Sequence, residues 1–198
     1  MKGFFKSLYI YLFRLFTICK FKRFGGGSFI GPRASIKGGK KIRIGKYVRI
    51  GRFCRMQCYK DFAGEKLFPQ IDIKDGCYIG DNFTALAGAP IELQENVLIA
   101  SNVTISSENH SCDPTSIIPY KDQALVVGEV SIGEGTWIGQ NAVILPNVKI
   151  GKKCVIAASA VVTKSVDDYS MVAGVPAKVI KKFDFEQGYW VSVKNEVV

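Results

Sequence analysis

The 198-residue chain is predicted to be an all-β protein wound as a triangular coil, because aliphatic residues recur at every sixth position along much of it. A period of six fits neither the 3.6-residue turn of a helix nor the two-residue alternation of a strand. It fits one short strand per side of a coil, with the aliphatic side chain pointing inward. Glycine often follows the aliphatic residue, where we expect it to permit turn conformations that other residues resist. The pattern therefore predicts a parallel β-helix of hexapeptide repeats.

The repeat begins near residue 44, is most regular between Ile132 and Val162, and is interrupted at three places. Residues 56–70 lose the spacing, which indicates either a bulging loop or an ill-matched coil. Two extra residues fall between Ala85 and Leu93. Residues 106–127 leave the pattern altogether, so we predict an extended loop there. The aliphatic positions are Ile44, Ile50, Ile73, Ile79, Leu93, Ile99, Ile105, Ile132, Ile138, Ile144, Ile150, Ile156 and Val162.

A basic, aromatic-rich segment, residues 1–24, precedes the repeat domain of residues 25–181, and residues 182–198 form a tail. Arg14 interrupts the apolar run of the first segment, which leaves it shorter than the roughly 20 residues of a membrane-spanning helix. No small-x-small cleavage site follows, as a secretory signal would require. We predict a short helix, either lying on an anionic membrane surface or docked on a neighbouring subunit. The residues that share its apolar face are Phe5, Leu8, Leu12 and Leu15.

The net charge of +10 favours anionic partners, such as phosphates, nucleic acid or acidic membrane surfaces, without choosing among them. No nucleic-acid-binding motif surrounds the basic clusters, so we expect no nucleic-acid partner. The six cysteines form neither a Cys-x-x-Cys pair nor a zinc spacing. Cys54, Cys77 and Cys154 occupy positions of the repeat where small apolar residues recur. We interpret them as reduced, buried residues of a cytosolic protein.

The single histidine of the chain, His110, lies in the longest interruption of the repeat. Function concentrates on loops that a rigid scaffold holds, and imidazole titrates in the range that a general base needs near neutral pH. His110 is therefore the candidate catalytic residue. Cys112 lies two residues away and could be considered as a nucleophile, although base catalysis by His110 does not need one. One histidine cannot supply the three or four ligands of a zinc site, so we expect no metal.

Several stretches of the sequence resemble the hexapeptide-repeat acyltransferases, above all the galactoside and maltose acetyltransferases. The N-terminal half is more similar to the O-acetyltransferases of capsular and lipopolysaccharide gene clusters. The resemblance implies a left-handed β-helix and a homotrimer with active sites between subunits. It also implies acetyl-CoA as the donor and a hydroxyl group as the acceptor. The stretches that carry it lie within residues 71–181 and are residues 96–105, 109–110, 136–139, 161–164 and 173–180.

The resemblance also implies roles for individual residues. His110 falls on the family's catalytic histidine, which takes the proton from the acceptor hydroxyl as that oxygen attacks the thioester. Trp137 matches an aromatic beside the acetyl end of the site, or else it packs at a corner of the coil. The backbone N–H of Gln140 matches a donor near the thioester oxygen. The other donor-side matches are Ala158, Thr163 and Lys164, along the pantetheine arm and the nucleotide, and Lys178 and Lys181, near the CoA phosphates or simply on a solvated surface.

The acceptor side of the resemblance is weaker. Leu86 aligns with a sugar-binding asparagine of the galactoside enzymes, which argues against galactoside or maltose as the acceptor. Asp113 could orient His110 or bind a sugar hydroxyl, but the following proline favours an aspartate that caps its own turn. The roles of Glu108 and Asn109 stay open at the level of sequence.

The sequence thus predicts an acetyl-CoA-dependent O-acetyltransferase that modifies a sugar of a surface polysaccharide, in the cytoplasm or peripherally at the inner face of the membrane. Two alternatives stay open: acetylation of a small antibiotic-type acceptor, and a non-catalytic β-helix scaffold. A γ-type carbonic anhydrase shares the expected fold, but it needs three zinc-binding histidines. The segment before the repeat is too short for the extra domains of serine acetyltransferases or sugar nucleotidyltransferases.

Overall fold

The computed structural model describes residues 19–193, which form a coil of short parallel strands arranged in three sheets. The predicted N-terminal helix falls largely on residues 1–18, and that prediction lies outside the described residues. Within residues 19–193, no helix is long and apolar enough to cross a membrane. Each sheet takes every third strand of the coil, so the chain visits sheets 1, 2 and 3 in turn.

Most of the parallel strands recur at the six-residue spacing. Sheet 1 contains β1 (Arg23–Phe24), β4 (Ile42–Ile44), β9 (Gln70–Ile73), β12 (Pro90–Leu93), β17 (Val130–Ile132) and β20 (Lys149–Ile150). Sheet 2 contains β2 (Phe29–Ile30), β5 (Arg49–Ile50), β10 (Tyr78–Ile79), β13 (Leu98–Ile99), β18 (Trp137–Ile138), β21 (Val155–Ile156), β23 (Ser170–Gly174), β24 (Ala177–Asp184) and β25 (Tyr189–Ser192). Sheet 3 contains β3 (Ser35–Lys37), β6 (Arg55–Cys58), β11 (Thr84–Ala87), β14 (Thr104–Ser106), β19 (Val143–Ile144) and β22 (Val161–Val162).

Two antiparallel ribbons leave the coil, both between sheet 3 and sheet 1. The first joins β7 (Asp61–Phe62) to β8 (Glu65–Lys66), and it shows that the interruption at residues 56–70 is a bulging loop. The second joins β15 (Glu108–His110) to β16 (Leu125–Val127), within the predicted extended loop. Short 3₁₀ turns occur at Gly39–Lys41 and Tyr120–Asp122.

The predicted aliphatic positions all form the core of the coil. Every one of them is buried, and each pairs in register with its equivalent one coil away, as Ile79 does with Ile99 and Ile99 with Ile138. Met56 and Ala85 complete the column on sheet 3, although neither fits the aliphatic pattern well. Replacing such a buried isoleucine with alanine typically costs about 2–5 kcal/mol, so the column holds the coils together.

The physical reason for the glycines of the repeat differs from the one expected from the sequence. Gly80 and Gly139 follow buried isoleucines, but positive φ angles occur two residues later, at Asn82 and Asn141. A Cβ atom on Gly80 would lie 2.7 Å from the backbone nitrogen of Ser101, and one on Gly139 would lie 2.6 Å from that of Ala158. The expectation about turn conformation was therefore wrong, because these glycines are needed for the close approach of the next coil.

Both ends of the coil extend beyond the expected boundaries of residues 25 and 181. At the N-terminus β1 pairs with β4. Phe21 is buried in the core, but as an aromatic residue it does not show in the aliphatic pattern. At the C-terminus β23, β24 and β25 pair antiparallel, so most of the expected tail up to Ser192 is sheet. Antiparallel strands follow a two-residue period, which explains why the six-residue pattern does not report them.

Asparagine side chains form a ladder along one corner of the coil. Asn82 donates from Nδ2 to Oδ1 of Asn102 at 2.9 Å, and Asn102 donates from Nδ2 to Oδ1 of Asn141 at 3.0 Å. All three residues have φ near +60°, a conformation that asparagine tolerates better than most residues. The ladder therefore satisfies the turn geometry and links three successive coils.

Replacing Asn102 with alanine is expected to lower the free energy of unfolding by about 1–2 kcal/mol, because positive φ becomes costly and two hydrogen bonds are lost. The measurement is a denaturant titration at fixed protein concentration. Asn147→Ala is the matched control: Asn147 has φ 63°, and within residues 19–193 its side chain makes no hydrogen bond. Equal losses in the two variants would show that the ladder itself contributes nothing.

Candidate active site

His110 lies at the end of β15, on the ribbon that leaves the coil between sheet 3 and sheet 1. It pairs with Leu125 of β16, and its side chain is exposed. The base of the ribbon is fixed by Ser107, which is fully buried; its Oγ donates to the carbonyl of Ala89 at 2.7 Å and accepts the N–H of Ala89 at 3.1 Å. The ribbon therefore carries an exposed imidazole on a base that is hydrogen-bonded to the coil below.

Two side chains lie beside His110, and a third lies near one of them. The ring of Phe62, from the first ribbon, meets the imidazole edge-on, with ring centroids 5.3 Å apart and an interplanar angle of 76°. Glu108 lies two residues earlier on the same face of β15, and partial burial raises its pKa, while the nearby His110 acts in the opposite direction. Burial and the charge of Glu108 raise the pKa of the Tyr59 phenol. The two ribbons thus form one cluster around the candidate base.

Sequence reasoning missed Phe62 and Tyr59, and it left Glu108 undecided. Both missed residues lie in or beside the stretch whose spacing could not be interpreted, so no periodic signal pointed to them. The structure explains the interruption, because the two loops leave the same corner two coils apart, on either side of β11, and they pack on each other. The buried Gln123 was also missed; it binds the outer loop through the backbone of Asp113 and Ile118.

Asp113 caps its own turn, as the sequence favoured. Its Oδ1 accepts the backbone N–H of Thr115 at 2.9 Å and the Thr115 hydroxyl at 2.7 Å, and these bonds lower the pKa of the carboxyl. Cys112 is exposed and unpaired. Cys54, Cys77 and Cys154 are free and buried, as expected, and burial raises the pKa of the first two thiols to about 11. These three cysteines are therefore packing residues.

Trp137 belongs to a row of outward-facing side chains on sheet 2, here called the outer row. Strand register aligns these side chains one above another, and on the parallel strands the residue after each of them points into the core. Trp137 is half exposed on this face. From the N-terminal side the row consists of Phe29, Arg49, Tyr78, Leu98, Trp137, Val155, Met171 and Lys181.

The structure brings Trp137 and Gln140 together in one open groove of about 630 Å³. Gln140 lies at the corner between sheets 2 and 3, and within residues 19–193 its backbone N–H has no hydrogen-bond acceptor. Ala158 occupies the same corner one coil further on, where the N–H of Ser159 donates to the carbonyl of Gln140 at 2.8 Å. Lys181 pairs with Met171 on the outer row, and Lys178 pairs with Ala173 close by.

The remaining expected site residues lie elsewhere in the chain. Thr163 and Lys164 follow β22 at the corner between sheets 3 and 1, on the side where the His110 ribbon leaves the coil. His110 and Trp137 are thus on different sides of one chain. Within residues 19–193, no three His, Cys, Asp or Glu side chains cluster in a way that would hold a metal ion.

Comparison with known proteins gives consistent results. Residues 129–164 match the family model described as bacterial transferase hexapeptide (six repeats). A putative acetyltransferase of Dictyostelium discoideum is 37% identical over 131 residues, which cover 61% of this chain and 67% of that protein. A putative lipopolysaccharide biosynthesis O-acetyl transferase of Escherichia coli is 34% identical over 126 residues, covering 61% and 64% respectively. The matches therefore span about two thirds of the length of these curated relatives.

A solved structure supports the fold independently of close sequence similarity. A mutant of the N-acyltransferase AntD of Bacillus cereus, in complex with dTDP-4-amino-4,6-dideoxyglucose and coenzyme A, superposes with a TM-score of 0.75. The two chains are 24% identical, and the superposition covers 88% of this chain and 90% of AntD. The predicted fold class, a left-handed parallel β-helix, is confirmed.

Because burial raises the pKa of Glu108 above its ordinary value of 4.5, its charged form is disfavoured in the folded chain. The stability associated with this group is fully present below that value and is lost as the pH rises through the raised pKa. Glu108→Gln should therefore raise the melting temperature at pH 7 and have little effect at pH 4. Thermal melts across this range test it, with the exposed Glu134→Gln as control. A pH-independent difference would contradict this account.

Proposed function

The chain belongs to the hexapeptide-repeat transferase family, and on that premise we propose that it transfers an acetyl group from acetyl-CoA to a hydroxyl group of a sugar, with His110 as the general base. The observation that carries the proposal is the setting of His110. It is the only histidine of the chain, and it is exposed on a ribbon that the coil fixes at Ser107. The imidazole is therefore accessible to a substrate, while the hydrogen bonds of Ser107 fix the base of the ribbon that carries it.

The separation of His110 from Trp137 supports a homotrimer with its active sites between subunits. In this assembly the ribbon of one protomer reaches the outer row of its neighbour, so that two half-sites become one. The ribbon exposes Ile117, Ile118 and Tyr120, and the outer row exposes Tyr78, Leu98 and Trp137. Exposed apolar surfaces of this kind mark contacts with a partner. Association of the two surfaces would place the ribbon over the outer row and enclose the groove that Tyr78, Leu98 and Trp137 line.

The outer row also suits a long thioester donor. Lys181 lies three strand spacings from Trp137, a distance of roughly 14 Å at about 4.8 Å per spacing. Lys178 and Lys181 would bind the CoA phosphates there, and the corner from Ala158 to Gln140 would guide the pantetheine arm to the thioester. Thr163 and Lys164 would approach the donor from the ribbon corner of the adjoining protomer. Trp137 would then lie beside the acetyl group.

The chemistry follows from these positions. His110 accepts the proton of the acceptor hydroxyl while the hydroxyl oxygen forms a bond to the thioester carbonyl carbon. The backbone N–H of Gln140 stabilises the negative charge that develops on the carbonyl oxygen. The carbon–sulfur bond breaks, and the proton on His110 passes to the departing sulfur. A base of this kind typically contributes about 10²–10⁴-fold in rate, and the fixed orientation of two substrates contributes much of the rest.

The acceptor that fits best is a sugar of a surface polysaccharide or its precursor, modified in the cytoplasm near the inner face of the membrane. The name of the Escherichia coli relative supports a role in lipopolysaccharide biosynthesis. The basic, aromatic-rich residues 1–18 support attachment to an anionic membrane surface. Attachment would concentrate the enzyme where lipid-linked saccharides are assembled.

Replacing His110 with alanine is expected to lower kcat by about 10²–10⁴-fold, because the proton of the attacking hydroxyl loses its acceptor. Thiol release from acetyl-CoA, measured with a panel of saccharides, reports the activity. The KM for acetyl-CoA and the oligomeric state should be unchanged. Cys112→Ser is the matched control from the same loop and should keep full activity. An active His110→Ala variant would disprove the proposed role of this residue.

Deleting residues 2–18 is expected to weaken binding to vesicles that contain phosphatidylglycerol, because Lys2, Lys6, Arg14 and the apolar and aromatic side chains of these residues are removed. The deletion ends before Phe21 and β1, which belong to the coil, so the enzyme should still fold and transfer acetyl groups. Sedimentation with anionic and with neutral vesicles is the measurement. If neither form binds vesicles and the deletion instead dissociates the oligomer, these residues dock on a neighbouring subunit.

A further inference from the structure

The groove beside Trp137 extends away from the residues assigned to the donor. From Trp137 it runs towards the N-terminal coils, over Leu98, Tyr78, Arg49 and Phe29. Val155, Met171 and Lys181 continue the outer row in the opposite direction. Trp137 therefore stands between two stretches of the same face. If the donor occupies the C-terminal stretch, the N-terminal groove is left for the acceptor.

The floor of the groove is largely apolar. Tyr78 and Leu98 are paired in register, and their side chains are 55% and 43% exposed, although both are large and hydrophobic. Outward-facing strand residues on successive coils form a continuous surface with a spacing of about 4.8 Å. Such a surface suits the apolar face of a sugar ring, while the polar groups at its ends determine orientation.

The charge of the groove is positive. Two charged side chains line it, Arg49 and Asp81. The Asp81 carboxylate is already engaged by Arg52: Oδ2 accepts from Nε at 3.0 Å and from Nη2 at 2.7 Å, and Oδ1 accepts the backbone N–H at 2.7 Å. These contacts lower the pKa of Asp81. Arg49, by contrast, has no carboxylate within ion-pair distance among residues 19–193. One unneutralised guanidinium therefore remains in the groove.

We infer that the acceptor is an anionic saccharide whose carboxylate or phosphate is bound by Arg49, with Tyr78 and Leu98 beneath the sugar. The inference rests on the proposed function, since it names the acceptor class of the same site. Guanidinium binds either oxyanion through two parallel hydrogen bonds, and this geometry fixes orientation as well as charge. Arg49 lies three strand spacings from Trp137, roughly 14 Å. More than one sugar ring spans that distance, so the anionic group belongs to the unit next to the acetylated one.

A matched set of acceptors tests the inference: cellobiose as the neutral disaccharide, its counterpart with glucuronic acid at the non-reducing end, and its counterpart with a phosphate there. The wild-type enzyme is expected to prefer the carboxylate or the phosphate by at least about 10-fold in kcat/KM, as a hydrogen-bonded charge pair implies. The preferred member of the anionic pair identifies the source of the oxyanion. Equal use of the neutral and the anionic disaccharides would overturn the inference and leave the proposed acetyl transfer intact.

The variant Arg49→Gln should remove the preference by raising the KM for the anionic acceptor about 10- to 100-fold. The kcat/KM with cellobiose should fall far less than that with the anionic acceptor, the KM for acetyl-CoA should not change, and Arg49→Lys should keep part of the preference. Arg23→Gln, an exposed arginine on sheet 1, is the matched control and should behave as wild type. A loss by Arg49→Gln that is equal for neutral and anionic acceptors would contradict the role of Arg49.

A binding measurement decides the case in which none of the three disaccharides is acetylated. The chain has two tryptophans, so in a Trp190→Phe background the fluorescence reports Trp137 alone. The anionic disaccharides are expected to change this fluorescence, and cellobiose and the Arg49→Gln variant are expected to give no change at the same concentrations. If the anionic sugars do not bind either, the inference fails. If they bind but no saccharide is ever acetylated, the proposed function fails instead.

Discussion

The structure depends on the register between successive coils, in which each inward aliphatic side chain packs on its equivalent in the next coil. Parallel pairing places Ile50, Ile79 and Ile99 in one column, and the same rule applies on each of the three sheets. Every coil buries its apolar residues only because its neighbours are in phase, as in other repeat folds. A coil with extra residues cannot shift the column, so those residues must leave it at a corner.

This constraint explains why both ribbons emerge on the same side. On sheet 3, β6 and β11 pair over four residues, and on sheet 1, β9 and β12 also pair over four residues. The strands on both sides of the corner between these sheets are therefore longer than most others in the coil. Gly88 lies there, and a Cβ atom on it would come within 2.8 Å of both Glu108 and Val127. The longer strands and the absence of a side chain at Gly88 leave room for the two loops to approach each other, and Phe62 therefore contacts His110.

The sequence predicts the part of the molecule that periodicity controls and little else. The aliphatic column, the extended loop and the position of His110 follow from spacing, because a buried column tolerates few substitutions. Tyr59 and Phe62 could not be predicted, since two aperiodic loops meet only in three dimensions. Phe21 and β24 extend the structure beyond the ends that the repeat indicates. They could not be predicted from the repeat, because a buried aromatic residue and an antiparallel hairpin do not follow the six-residue period. Trp137 was found by resemblance, whereas the groove beside it was not.

The residues of that groove were available in the repeat, because the residue before each buried isoleucine must face outward. Arg49, Tyr78, Leu98 and Trp137 all occupy this position. The core places no demand on them beyond strand geometry, so they can differ among chains that share one scaffold. The same backbone can then serve two purposes, since inward side chains stabilise the coil and outward side chains are available to contact a ligand. If the proposed function holds, specificity for the acceptor should therefore reside in outward residues of the N-terminal coils, and the proposed base would be supplied by the ribbon.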